Sequence, residues 1–206
     1  MQLPQNIRSI EDDISPFPTQ VGKTPLYITS LANFSSVKPP LGTDSCAYII
    51  VTSEETSLAM PQVLPALPLI IPAGKRGQTH FMRALPSAVA FTQAQLRTGL
   101  KVCFVCETGK DYSVGIALAA LQQLFNDFGN YVGNRAESKI TTGPIVTATL
   151  EVFTNEELYS ADKNSIRTRL QWIISSRIQA NPSRTTLKRV NEYLLSPASF
   201  NMDPKP

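Results

Sequence analysis

The sequence predicts an α/β fold, a mostly parallel central sheet covered on both faces by helices in three α/β/α layers. Three observations predict it. The run Val102-Cys103-Phe104-Val105-Cys106 is apolar with no helical period. After a short loop, small and aliphatic residues recur at helical spacing through Leu121 and Leu124, so a buried strand leads into a helix. Ala47-Tyr48-Ile49-Ile50-Val51-Thr52 is β-branched and nearly all apolar, as a central strand is. Between these strands, Phe81 to Leu96 sets Leu85, Val89 and Leu96 on one helical face, with Ala88 and Phe91 alongside and Gly99 as the stop. Strands that alternate with helices need crossover connections and pair in parallel.

The remaining elements follow in order. Residues 1–24 carry Pro4, Pro16 and Pro18 and no sustained period, and read as an extended arm. Pro25 to Thr29 is a short strand, Val37 to Gly42 a loop around Pro39-Pro40, and Met60 to Pro68 is again broken by proline. Leu69-Ile70-Ile71 makes a third strand, and Ala73 to Gln78 a polar loop with two adjacent cations, Lys75 and Arg76. His80 reads as a cap or surface residue. The helix after the central loop runs from Ser113 to Phe128. Asn130 to Pro144 is a polar excursion, and Ile145 to Phe153 an extra strand or an extended cover. Asp162 or Asn164 caps a helix from Ser165 to Arg177 whose stripe is Ile166, Leu170, Ile173 and Ile174. Trp172 reads as core rather than as a stacking platform. Asn181-Pro182 starts a last helix, which runs to Leu195 with Leu187, Val190 and Leu194 inward. The domain so drawn is 25–196, with a loose tail over 197–206.

Composition narrows the function classes. A chain of 206 residues, 42% hydrophobic and 17% charged, suits one globular domain and excludes a disordered chain. No apolar run reaches the roughly 18 residues of a membrane span, and Met1 to Gln5 has no signal-peptide character, so the expected location is cytoplasmic. Three cysteines, an odd number, and one histidine argue against a disulfide framework or a metal site. Cys103 and Cys106, three apart on one strand, point to opposite faces. The net charge of +3 hides an asymmetry: Lys163, Arg167, Arg169, Arg177, Arg184, Lys188 and Arg189 occur with no acid among them. Residues 1–60 hold six acids against three bases. A basic carboxy-terminal region fits a nucleic-acid backbone, or simply a solvated helical face.

The central junction carries the chemistry. Cys106-Glu107-Thr108-Gly109-Lys110-Asp111-Tyr112-Ser113 links a buried strand to a helix start, where unpaired amides and the positive end of the helix dipole can hold a phosphate. Lys110 adds a formal charge. Asp111 and Ser113 sit where a helix cap would, and Cys106 is a candidate nucleophile.

The spelling of this loop resembles the dual-specificity phosphatases, whose motif is His-Cys-x-x-Gly-x-x-Arg-Ser. Cys106, Gly109 and Ser113 fall in register, but Val105 replaces the histidine and Tyr112 the phosphate-binding arginine, and Ala73 to Gln78 lacks the general-acid aspartate. A more specific resemblance covers about residues 25–196. Cys106 to Gly115, followed by Ile166-Arg167-Thr168-Arg169-Leu170-Gln171-Trp172-Ile173 and Ala180-Asn181-Pro182-Ser183-Arg184-Thr185-Thr186-Leu187-Lys188-Arg189-Val190-Asn191-Glu192-Tyr193-Leu194, is similar to the C-terminal, phosphatase-like domain of initiator tRNA phosphoribosyltransferases.

That resemblance implies a dual-specificity-phosphatase-like fold. It implies transfer of a phosphoribosyl group from phosphoribosyl pyrophosphate, with Mg²⁺ as a candidate companion ion, to a ribose 2′-hydroxyl in the T-stem of initiator tRNA. The amides of Glu107, Thr108, Gly109, Lys110, Tyr112 and Ser113 would hold a phosphate of donor or tRNA. Asp111 would cap the helix or polarise the hydroxyl, and Cys106 would be a remnant of the scaffold or a nucleophile. Lys75, Arg76, Arg167, Arg169, Arg184, Lys188 and Arg189 would contact tRNA phosphates. The family places a large domain ahead of this one, and such a domain is the expected partner. Two other classes stay open: a noncatalytic phosphatase-like module that binds tRNA or phosphate, and a hydrolase using Cys106.

Overall fold

The computed structural model describes residues 17–34, 39–42, 44–53, 65–132 and 161–196. Five strands form one sheet: β1 (Thr19–Gln20), β2 (Leu26–Ser30), β3 (Cys46–Thr52), β4 (Ala66–Ile70) and β5 (Lys101–Cys106). Their spatial order is β1-β2-β5-β3-β4, with β1 antiparallel to β2 and every other pairing parallel. The latest strand in sequence is thus central in space. In its registers Ser30 faces Cys106 on one side and Ile50 faces Val105 on the other. The four described helices are α1 (Lys75–Arg97), α2 (Tyr112–Leu124), α3 (Lys163–Ser176) and α4 (Arg184–Leu195).

Strand alternation sorts the side chains. Ile28, Ile49, Val51, Val102, Phe104 and Cys106 point to the face on which α1 and α2 lie, and α3 and α4 pack outside those two helices. Cys46, Tyr48, Ile50, Cys103 and Val105 point to the other face, where Phe34 and the partly buried Leu31 and Leu41 cover them. Cys103 and Cys106 therefore lie on opposite faces, as their spacing requires. A helical layer on that second face is not seen among the described residues. Fully burying one aliphatic side chain contributes about 1.5–3 kcal/mol, so the larger cluster dominates the stability.

Several boundaries differ from expectation, each for a local reason. β4 begins at Ala66, inside the proline-broken stretch; it is an edge strand, where exposed Pro68 removes no needed donor. α1 starts at Lys75, six residues before Phe81, because Gly77 has no Cβ to strike the Pro72 carbonyl. Lys75 and Arg76 therefore form the first turn of a helix rather than a loop. α2 stops at Leu124, where the Asn126 side chain accepts from the amides of Phe128 and Asn130 and turns the chain. Asp162 caps α3 through a capping box with Ser165. Ile166 and Ile173 are buried, Leu170 and Trp172 pack against the core, and Ile174, expected inward, is 40% exposed. The cap of α4 is Ser183, not Asn181: its Oγ accepts from the Thr186 amide at 3.1 Å.

The strand expected at Ile145 to Phe153, the excursion from 133 to 144, the arm over 1–16 and the tail over 197–206 lie outside the described residues. The end of the arm, residues 17–24, is described, and contributes β1 along β2. Among the described residues no helix is long and apolar enough to cross a membrane.

Candidate functional site

β5 delivers the Cys106–Ser113 loop to the carboxyl end of the sheet, where open α/β sheets bind ligands. The loop turns at Gly109, whose φ is +66° and whose amide closes on the Cys106 carbonyl at 3.2 Å. A Cβ there would come within 2.8 Å of the Thr29 carbonyl carbon, 2.9 Å of the Ser30 nitrogen and 2.8 Å of an Arg177 Nη. Both the left-handed backbone and the close approach demand glycine. The Lys110 amide reaches Thr108 Oγ1 at 3.3 Å. Cys106 Sγ and Ser113 Oγ lie 3.0 Å apart, both buried. The first-turn amides of α2 have no acceptor within the helix, as at any helix start.

Tyr112 stands where the phosphatase motif has arginine. Its hydroxyl accepts from Gln78 Nε2 at 3.2 Å, and its ring stacks, tilted, on Phe81 with centroids 4.9 Å apart. Burial first, then the charges of Asp111 and Cys106, push the phenol above its ordinary value. Tyr112 thus joins α2 to α1 and offers no positive charge.

The loop is held from beneath by a segment that sequence reading did not assign to the site. Arg177, at the end of α3, is 2% exposed. Its Nε donates to the Gly109 carbonyl at 2.9 Å and its Nη1 to Thr19 Oγ1 at 2.9 Å. The Asn181 amide donates to the Lys110 carbonyl at 3.0 Å, and the Ser183 amide to Asp111 Oδ1 at 2.8 Å. Asp111 makes no side-chain cap to its own helix; its carboxylate ties α2 to α4 instead. Burial holds the Arg177 guanidinium below its ordinary value, against the pull of the nearby thiols. The signal for Arg177 was present in the spacing 166, 173, 177, which continues the buried stripe of α3.

A pocket of about 390 Å³ opens beside the loop. Val51, Ile71 and Pro72 form its apolar wall, and Glu107, Asp111 and Tyr112 its polar side; among the described residues no cation lines it. Positive charge lies around it instead. Lys75 and Arg76 open α1 just after the pocket residues Pro72 and Ala73, Lys110 is in the loop, and exposed Arg184 opens α4 next to Ser183. The starts of α1 and α2 border the pocket, and the start of α4 is joined to it through the Ser183 amide on Asp111.

Of the other expected tRNA contacts, Lys188 is exposed one turn beyond Arg184 and lines a groove with it, whereas Arg169 and Arg167 do not join this rim. Arg169 is a correction: it is 4% exposed, donates to the carbonyls of Leu121 and Phe125 at 3.2 and 3.0 Å, and pairs with Asp127 at 3.0 Å. It satisfies the carboxyl end of α2 and cannot reach a phosphate. The spacing 166, 169, 173 places it on the buried stripe. Arg167 is exposed but sits about 15 Å along the helix from Arg177, at about 1.5 Å per residue, toward the opposite end of the sheet. Lys188 and Arg189 both engage Glu192, at 3.9 and 2.6 Å. His80 is exposed on α1, with Nδ1 2.9 Å from the Arg76 carbonyl. Among the described residues no three histidine, cysteine or carboxylate side chains group so as to hold a metal ion.

Comparison with known proteins places this geometry. Residues 65–194 match the family model of the Rit1 DUSP-like domain. No curated protein matches the chain. Among solved structures, the human tyrosine phosphatase-like serine/threonine/tyrosine-interacting protein is 16% identical, with 86% of this chain and 95% of that one covered at a TM-score of 0.56. The phosphatase domain of Yvh1 from Chaetomium thermophilum is 14% identical, covering 85% and 94% at 0.55. A leucine rich repeat and phosphatase domain containing protein from Entamoeba histolytica is 12% identical, covering 91% and 97% at 0.55. At these identities the likeness establishes the fold, which is that of the dual-specificity phosphatases.

Proposed function

The chain belongs to the family of the Rit1 DUSP-like domain, and from that premise we propose that it transfers a phosphoribosyl group from phosphoribosyl pyrophosphate to a ribose 2′-hydroxyl of initiator tRNA, or forms the C-terminal domain of an enzyme that does. The family's role lies in initiator tRNA modification. The observation that carries the reading is Tyr112. The phosphatase strand, loop and helix are intact, yet the position of the transition-state guanidinium holds a phenol bonded to Gln78. Phosphoryl transfer to Cys106 would lack its bidentate clamp, so the loop is suited to holding a phosphate rather than cleaving one.

In this reading Lys110 and the amides of the loop hold a phosphate, while Lys75, Arg76 and Arg184 take the tRNA backbone. The reaction forms a bond from the 2′-oxygen to the anomeric carbon of the donor and breaks that carbon's bond to pyrophosphate. The hydroxyl proton passes to Asp111, which lines the pocket and keeps one oxygen on the Ser183 amide, or to water. No thiolate is needed.

A second reading rests on the pocket lining, which among the described residues contains Glu107 and Asp111 and no cation. Such a wall does little to neutralise pyrophosphate, and favours a recognition module whose partner domain binds the donor. One assay separates the two: this chain, initiator tRNA, phosphoribosyl pyrophosphate and Mg²⁺, read by tRNA mass, with Lys110→Ala alongside. A phosphoribosyl gain that the substitution abolishes supports transfer at this loop. Intact tRNA binding with no mass gain supports the recognition module.

A further inference from the structure

We propose that Arg177 is the positioning residue of the loop: it orients the loop's peptides from beneath and supplies the buried positive charge that position 112 lacks. This rests on the reading that the loop holds an anion. Three observations lead to it.

The first is peptide geometry. In a trans peptide the C=O and the following N–H point in opposite directions. Arg177 Nε takes the Gly109 carbonyl and the Asn181 amide takes the Lys110 carbonyl, so both carbonyls turn toward the 177–183 segment. The amides of Lys110 and Asp111 then face the other way, the Lys110 amide onto Thr108 Oγ1 at 3.3 Å. The Asp111 amide, at the start of α2, is directed toward an anion, and Thr108 and Lys110 stand beside it.

The second is charge. Arg177 is 2% exposed, and among the described residues no carboxylate lies within ion-pair distance of it. Its hydrogen bonds go to a carbonyl and a hydroxyl, both neutral. A buried cation without a counter-ion is costly, and an anion in the loop above would complete it.

The third is Ser30. Its side chain is 2% exposed, its Oγ has no partner, and its register neighbour across β2 and β5 is Cys106, where the loop begins. Parallel register partners present their side chains on the same face about 4.8 Å apart, so Ser30 Oγ lies on the Cys106 side of the sheet. It is a buried hydroxyl held ready for a ligand or for a water ordered by one.

The test titrates the full chain with inorganic phosphate and follows backbone amides by NMR, for wild type, Arg177→Lys and Arg177→Gln. Phosphate is expected to shift the Lys110 and Asp111 amides of the wild type. Arg177→Lys should keep the affinity within about threefold, and Arg177→Gln, which keeps a donor but no charge, should lose about tenfold or more. Resonances outside 29–30, 106–113 and 177–183 should stay in place. Undiminished affinity in Arg177→Gln overturns the proposal. So do wild-type Lys110 and Asp111 amides that ignore phosphate, a result that stands even where the glutamine variant fails to fold. Phosphate binding without tRNA modification would leave Arg177's role intact and remove the transfer reading. Transfer activity with phosphate affinity indifferent to Arg177 would do the reverse.

Discussion

The backbone amide of Ser183 donates to the carboxylate of Asp111 at 2.8 Å, across 72 positions of sequence. The two stretches most informative in the sequence, the loop after β5 and the Asn181-Pro182-Ser183-Arg184 start of α4, are thus parts of one device. Asp111→Ala would leave the part-buried Ser183 amide without an acceptor, at about 1–2 kcal/mol. Asp111→Asn keeps an acceptor and should recover most of that loss, as read from urea midpoints.

Gly109→Ala should be worse. It combines a left-handed backbone with a Cβ pressed against the main chain of Thr29 and Ser30, neither of which can give way easily. The expected loss is about 2–4 kcal/mol, visible as a lower thermal midpoint.

Arg169→Ala should destabilise the fold by about 2–3 kcal/mol, because the carbonyls of Leu121 and Phe125 lose their donor and Asp127 its partner. The salt dependence of tRNA binding by the folded fraction should not change. That pairing of outcomes separates a structural arginine from a phosphate contact.

The α3 cap gives a pH dependence of known sign. The Asp162 carboxyl lies below its ordinary 3.8, first because the Ser165 amide donates to it, at 2.6 Å. A depressed folded value means a contribution that is full above the unfolded value and is lost as pH falls through the folded one. Asp162→Ala should therefore lower the unfolding midpoint at pH 7, and the gap to wild type should close only as pH falls below 3.8.

The fold was legible because its signals are local. Val102 to Cys106 carries strand character in its own apolar run, and Gly109 and Lys110 mark the loop by their types. What escaped was set by tertiary neighbours. Arg169 and Arg177 look like members of a basic face until the stripe through Ile166 and Ile173 is extended to include them. Tyr112 was seen as a missing arginine, but its bond to Gln78 depends on a helix that begins earlier than its apolar period shows. The move of the α4 cap from Asn181 to Ser183 has a similar cause: the Asn181 amide is committed to the Lys110 carbonyl.

Division of the cations into a rim and a remainder gives a further expectation. Arg189→Ala should change initiator tRNA affinity little, since its guanidinium is already held by Glu192 at 2.6 Å. Exposed ion pairs of this kind contribute about 0–1 kcal/mol, so stability should also change little.

The most direct measurement of the central claim, that tRNA phosphates converge on the loop at the carboxyl end of the sheet, is the salt dependence of initiator tRNA binding. Wild type is compared with Lys75→Ala, Arg76→Ala and Arg184→Ala combined, and with Arg167→Ala. Each lost phosphate contact should reduce the slope of log K against log salt by about 1. The triple variant should flatten the slope by about 3 while Arg167→Ala leaves it near the wild-type value. An unchanged slope in the triple variant, with loss confined to Arg167→Ala, would contradict the account and move the tRNA to the other end of the sheet.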